Sequence, residues 1–166
     1  MKRILIITCL ILLFYPGFPQ EMKKSRKDIR AERESKRIEK INTLLDSRNY
    51  VFNATHALPM GGTSIYLTSS YDLTIIGDSV EAFLPFFGVA YQAEYGGRDG
   101  GIKFSEPIRE YTVEPTKAGK MIKIEVKAPK DIYRMTLSAS RLGYATLQVT
   151  CNNRQPIQFY GTIEEK

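Results

Sequence analysis

"KMIKIEVKAPKDIYRMTLSASRLGYATLQVTC", Lys120 to Cys151, is the stretch whose reading decides the fold. Ile122, Ile124 and Val126 alternate with Lys123, Glu125 and Lys127. Tyr133, Met135, Leu137 and Ala139 then alternate with Arg134, Thr136, Ser138 and Ser140, and Ala145, Leu147, Val149 and Cys151 share one face of the last run. A period of two places successive side chains on opposite faces of a strand, so each run offers one face to a core and one to water. The connections are too short for a crossover helix, which makes the three runs consecutive antiparallel strands.

Working outward, the same alternation recurs. After Cys151, Asn152-Asn153 has the composition of a tight type I′ hairpin, and "QPIQFYGTI" returns with Ile157, Phe159 and Ile163 on one face. Upstream, "YVFNATHA", "TSIYLTS", "YDLTIIG" and "SVEAFLP" read as four strands, with turns at Gly61-Gly62, near Ser69-Ser70 and at Gly77-Asp78. A pair around the glycine-rich stretch and "IREYTVEP" bring the count to eight to ten short strands. A sheet of that size must close or fold over to bury its inner face and remove its edges. The expectation is an all-β, small antiparallel up-and-down barrel of eight to ten strands over residues 49–166, with a two-layer β-sandwich as the alternative.

Before Asn49 the period is helical. Residues 21–48 hold good helix formers without Gly or Pro, and an acid–base pair at helical spacing, Glu32 with Lys36. Ile38, Ile41, Leu44 and Leu45 form a short apolar stripe able to dock on a core, whereas the part before Arg37 reads as a solvated helix or tether. Residues 1–20 read as an export signal: Lys2 and Arg3, a nearly apolar run from Ile4 to Tyr15, then Pro16, Gly17 and Pro19. That run is shorter than the roughly 20 residues a spanning helix needs. The expected localisation is therefore exported, periplasmic or secreted, with no transmembrane segment in the mature chain.

The net charge of +6 invites a nucleic-acid reading until it is located. Residues 49–166 hold twelve Lys/Arg and twelve Asp/Glu, while residues 21–48 hold ten basic and six acidic side chains. The folded part is neutral and offers no basic groove for phosphates. Once the leader with Cys9 is gone, Cys151 is the only cysteine, so stability rests on a core rather than a disulfide.

No catalytic, metal or cofactor signature stands out. "GGRDGGIK" has Gly96 and Gly101 at phosphate-loop spacing, but Ile102 precedes Lys103, no Ser or Thr follows, and the stretch leads into a strand rather than a helix. It reads as a flexible connection with a hairpin turn at Asp99-Gly100. His56, the sole histidine, falls on the alternate face of Tyr50, Phe52 and Ala54 and reads as a satisfied residue near a barrel end. Pairing it with Cys151 as base and nucleophile requires the fold to join them. Asp72, Asp78, Glu106, Glu110 and Glu114 read as turn and surface groups, and "DSV" at Asp78 to Val80 is a short acceptor pattern for O-glycosylation at Ser79.

The aromatic run is the remaining candidate. Phe83, Phe86, Phe87, Tyr91 and Tyr95 crowd together, interrupted by Pro85 and Gly88 as at a strand bend. Turned inward they are core; around a partly empty lumen, Phe86, Phe87, Tyr91 and Tyr95 become a ligand-binding mouth with hydroxyls as polar handles. The partners so implied are an apolar small molecule or, with a filled core, an envelope protein; no cofactor is called for.

"SSYDLTIIGDSVEAFLPFFGVAYQAEYGGRDGGIKF" (Ser69 to Phe104), followed by "YRMTLSASRLGYATLQVTCNNRQPIQFYGTI" (Tyr133 to Ile163), resembles the bacterial family known as domain of unknown function 4251, exported proteins of Bacteroides-like bacteria. The resemblance implies a lipocalin-like barrel behind a signal and a charged helix. It implies no activity and no site residues.

Overall fold

A computed structural model describes residues 25–91, 100–129 and 131–166; the expected leader lies outside them. The chain divides after Ala31 into two units. In the first, Ser25 opens helix α1 (Arg26–Ser47) with reciprocal capping. Its Oγ accepts the Lys27 N–H at 3.3 Å, and Asp28 accepts the Ser25 N–H at 3.2 Å.

The second unit carries a closed barrel of eight strands in simple up-and-down order. They are β1 (Asn49–Pro59), β2 (Ile65–Ile76), β3 (Ser79–Leu84), β4 (Ile102–Pro115), β5 (Gly119–Lys127), β6 (Ile132–Ser140), β7 (Tyr144–Thr150) and β8 (Ile157–Glu164). Every neighbour pair is antiparallel, and β8 closes on β1 from Val51↔Glu164 to Pro59↔Ile157. Closure decides between barrel and sandwich, because each of the eight strands pairs with a neighbour on both sides.

Three sequence expectations are corrected. The segments taken as two strands on either side of Ser69-Ser70 are one strand, β2, and "IKFSEP" with "IREYTVEP" is one strand, β4. Pro107 does not break β4 because it pairs with Ser79, where β3 begins; beyond it Ile108 donates to the Asp78 carbonyl at 2.8 Å, and only β5 remains as a neighbour. His56 does not share the inner face of Tyr50, Phe52 and Ala54: a bulge between Ala54 and His56 shifts the register, so Ala57 is buried while Thr55 is exposed and His56 half-buried. Asn152 and Asn153 do not form a type I′ turn either. Arg48 is the only non-glycine among the described residues with positive φ, and residues 151–156 form a longer connection.

The waist of the barrel is filled. Tyr50, Phe52, Leu73, Ile75, Leu84, Ile122, Leu137, Leu147 and Phe159, from β1, β2, β3, β5, β6, β7 and β8, have no exposed surface. A side chain with no accessible surface touches no void wide enough for water, so these residues interdigitate as in a solid core. Tyr50 meets Tyr111 hydroxyl to hydroxyl at 3.1 Å. Burial, then the proximity and hydrogen bond of Tyr111, raise the Tyr50 hydroxyl far above the ordinary tyrosine range.

One barrel end holds the start of β1 and the β2–β3, β4–β5 and β6–β7 turns. Ile41, Leu44 and Leu45 of α1 join the core there, Ile38 is half-buried, and Lys120 Nζ pairs with Asp46 at 2.5 Å. Gly143 is required in the β6–β7 turn: its φ is 86°, and a Cβ would stand 2.7 Å from Ile41 Cδ1. Arg48 ends the helix in the left-handed region (φ 51°), pairs with Asp78 at 2.9 Å and stacks 4.4 Å above the Tyr111 ring.

Candidate functional site

The opposite end holds the β1–β2, β3–β4, β5–β6 and β7–β8 connections. The β3–β4 connection, residues 85–101, contains the aromatic run. Past Pro85 it leaves β3 and crosses to the β7–β8 connection, forming the isolated bridge Ala90↔Arg154. Tyr91 N–H donates to the Asn153 carbonyl at 2.8 Å, Gln155 N–H to the Val89 carbonyl at 3.1 Å, and Val89 N–H to Gln155 Oε1 at 3.2 Å. Residues 85–91 are therefore a strap over the barrel end and not a ninth strand.

Phe86 and Phe87 are half-buried and packed against the core. The Arg154 guanidinium lies 5.1 Å from the Phe86 ring centre, and the same side chain donates to the Gly100 and Gly101 carbonyls. Tyr91 is 64% exposed and contributes its backbone rather than its ring to this end. Tyr95 lies outside the described residues, as do Gly96 and Asp99. The structure thus brings Phe86 and Phe87 together with the core and leaves Tyr91 outside it. Phe104 and Tyr133, not singled out in the sequence, stack at the same end with ring centres 4.7 Å apart. The inward position of Tyr133 was visible in its run, but no face was assigned to Phe104, and the meeting of the two rings was not legible.

Asp131 is a further residue that sequence reasoning missed. Its Oδ1 accepts the Ile132 N–H at 2.7 Å and the Asn152 N–H at 3.0 Å, and its Oδ2 accepts the Asn153 N–H at 3.0 Å. Partial burial pulls its pKa upward, but these three donors outweigh burial and hold the carboxyl below its usual range. The loop is thereby fixed by a carboxylate from another connection instead of by its own asparagines.

The remaining candidate groups are occupied locally. His56 contacts Thr55 Oγ1 at 3.1 Å and the Tyr66 ring edge-on at 5.2 Å between ring centres. Cys151 sits against Asp131; burial and that carboxylate push the thiol up, away from thiolate chemistry. Asp78 pairs with Arg48, Glu114 with Lys123 at 2.6 Å, and Asp72 accepts the Thr74 hydroxyl at 2.9 Å. Among the described residues no three His, Cys, Asp or Glu gather as metal ligands, and no helix is long and apolar enough to cross a membrane. The barrel surface does carry concavities, including one of about 750 Å³ on the outer wall of β5–β8.

A closed eight-stranded up-and-down barrel, with a helix against one end and a strap across the other, places the chain in the lipocalin-like architectural class. A family profile, domain of unknown function (DUF4251), matches residues 32–163, and the chain belongs to that family. The crystal structure of a DUF4251 family protein from Bacteroides eggerthii DSM 20697 aligns with a TM-score of 0.63. The alignment has 14% identity and covers 81% of this chain and 91% of that one, a likeness of fold. No curated protein matches the sequence.

Proposed function

We propose that this protein is an exported, non-enzymatic recognition module of the cell envelope, in which the barrel is a filled scaffold and binding takes place on its outer surface. The observation that carries this reading is the waist: inward side chains of seven strands have no exposed surface, so no ligand chamber adjoins them. An eight-stranded barrel is wide enough either to be filled by side chains or to hold one small ligand, and these residues follow the first course. Export is supported by the basic start and apolar run of residues 2–15. A non-enzymatic role is supported by His56 and Cys151 having separate partners and by a thiol held protonated.

A second reading, an apolar ligand seated at the strapped end, rests on one observation: Phe86, Phe87 and Phe104 are only half-buried. Titrating the protein with sodium laurate and a hydrophobic dye decides between the two. The filled scaffold predicts no saturable binding that depends on Phe87. Saturable binding lost in Phe87→Ala, at an unchanged melting temperature, establishes the second reading instead.

A further inference from the structure

The geometry points to a binding site for a neutral, polyhydroxylated chain, a glycan segment, in the outer groove of β5–β8. This rests on the reading that recognition occurs outside the barrel. The outer wall of a closed barrel is convex, so a hollow of about 750 Å³ in it has to be built. Here small residues build it. Ser138 and Thr146 face outward on its floor, between the strand backbones of Ala139, Ala145 and Gly161, of which the two alanines alternate with them and turn toward the core, and the β4–β5 turn forms one rim through Thr116 and Ala118. A Cβ at Gly161 would collide with the Asn53 carbonyl oxygen, so strands β8 and β1 come together there only because the residue is glycine.

Two tyrosines flank the floor, Tyr144 (60% exposed) and Tyr160 (39% exposed). They are diagonal neighbours across β7 and β8, since Tyr144 pairs with Thr162 and Thr146 with Tyr160. The Arg37 guanidinium stands 5.6 Å from the Tyr144 ring centre, steadying that ring. From Tyr160 the row continues across paired positions to His56 on β1 and Tyr66 on β2. With strands about 4.8 Å apart the row extends roughly 14 Å, which suits an elongated occupant.

The chemistry of the groove selects the class. Its described lining holds no carboxylate, and its one cation, Lys120, is paired with Asp46; Arg37 stands beside the groove over the Tyr144 ring, so the lining itself offers a phosphate, nucleotide or acidic ligand no free counter-charge. Ser138 and Thr146 present their side-chain hydroxyls on the floor. A purely aliphatic ligand would cover those hydroxyls without satisfying them, which is costly. A sugar chain satisfies both halves: its hydroxyls exchange hydrogen bonds with Ser and Thr, and its C–H faces rest on the tyrosine rings.

The test is calorimetric titration of the purified protein with a panel of neutral oligosaccharides (maltohexaose, cellohexaose, xylohexaose and chitohexaose) and with sodium laurate as the contrasting probe. The expected result is saturable binding of at least one oligosaccharide. Tyr160→Ala and Tyr144→Ala should weaken it at least tenfold, Thr146→Val should weaken it, and Tyr160→Phe should retain it, all at unchanged melting temperature. Thr146→Val and Tyr160→Phe keep shape, so they remain informative if an alanine variant folds poorly. No binding by any oligosaccharide, or binding indifferent to all four substitutions, overturns the assignment, as does laurate binding that needs Tyr160. Laurate binding that instead needs Phe87 overturns the outer-surface reading itself, so the two failures are told apart.

Discussion

The two ends of the barrel are closed by different physics. At the helix end, α1 contributes Ile41, Leu44 and Leu45 to the core, and closure is burial of aliphatic surface. At the strapped end, Phe86 and Phe87 are only half-buried, and what holds the connections is polar: the Ala90↔Arg154 bridge, Gln155 with Val89, and the Asp131 carboxylate. Burial of aliphatic groups involves no charge that titrates, whereas hydrogen bonds to a carboxylate depend on its charge. The helix end should therefore set overall stability and the strapped end should respond to conditions.

The largest expected effect lies at the helix end. Leu45, 2% exposed, is replaced by Ala at a cost of about 2–5 kcal/mol, the range for deleting a buried aliphatic group. Denaturant unfolding measures this, and a loss below that of Phe87→Ala would reverse the comparison.

Next comes the strap's anchor. Asp131→Ala leaves the Asn152 and Asn153 amides without their acceptor and should cost about 1–3 kcal/mol. Because the folded carboxyl titrates below its unfolded value, its contribution is present above the unfolded pKa, about 3.9, and is lost as pH falls through the folded value. Unfolding measured from pH 7 to pH 2 should therefore show a shallower acid limb in Asp131→Asn, together with faster amide exchange at residues 152 and 153.

An alkaline counterpart sits inside the barrel. The Tyr50 and Tyr111 hydroxyls are both raised, burial being the first cause in each. Their stabilisation is complete below the unfolded tyrosine value, about 10, and is lost as pH rises above it, because only the unfolded chain ionises readily there. Tyr50→Phe should reduce that alkaline loss and cost roughly 1 kcal/mol at neutral pH through the missing hydrogen bond. Ultraviolet titration of phenolate that shows Tyr50 ionising near pH 10 in the folded protein would contradict this.

The smallest effect is expected from a chain beginning at Arg37. The described residues this removes are exposed apart from half-buried Glu32, and their ion pair Glu32–Lys36 (3.0 Å) is a surface pair, so the melting curve should move by less than about 0.5 kcal/mol. A chain that fails to fold would assign the helix start a structural role.

The barrel was legible because its inward positions are apolar at a strict period of two. Val80, Ala82 and Leu84 of β3, or Ile122, Ile124 and Val126 of β5, need no partner to be recognised. The bulge at Thr55-His56 was not legible, because either residue fits either face of a strand and only the pairing with β8, where two steps along β1 meet one along β8, shows that a residue is extra. Ser69-Ser70 in β2 and Pro107 in β4 look like breaks locally; β2 runs through the first although its ladder to β1 skips from Tyr66 to Tyr71, and β4 passes Pro107 because that residue pairs with Ser79 of β3. The groove was hidden for a related reason. Ser138, Thr146 and Tyr160 each read as the solvated face of a strand, and their alignment follows from registers set by residues far away in sequence.

The seam between β1 and β8 has a consequence for the route by which the chain folds. Asn53 and Glu164, hydrogen-bonded across it, stand 111 positions apart, so the ring cannot shut until nearly all of the intervening chain has been laid down. Contacts this remote are formed late, since loop-closure entropy must be overcome before they contribute. Until then β1 is a bare edge bearing Tyr50 and Phe52, open to pairing with other chains. The first strand, matched early by β2 alone, completes its pairing only when its far partner arrives and the sheet becomes a ring.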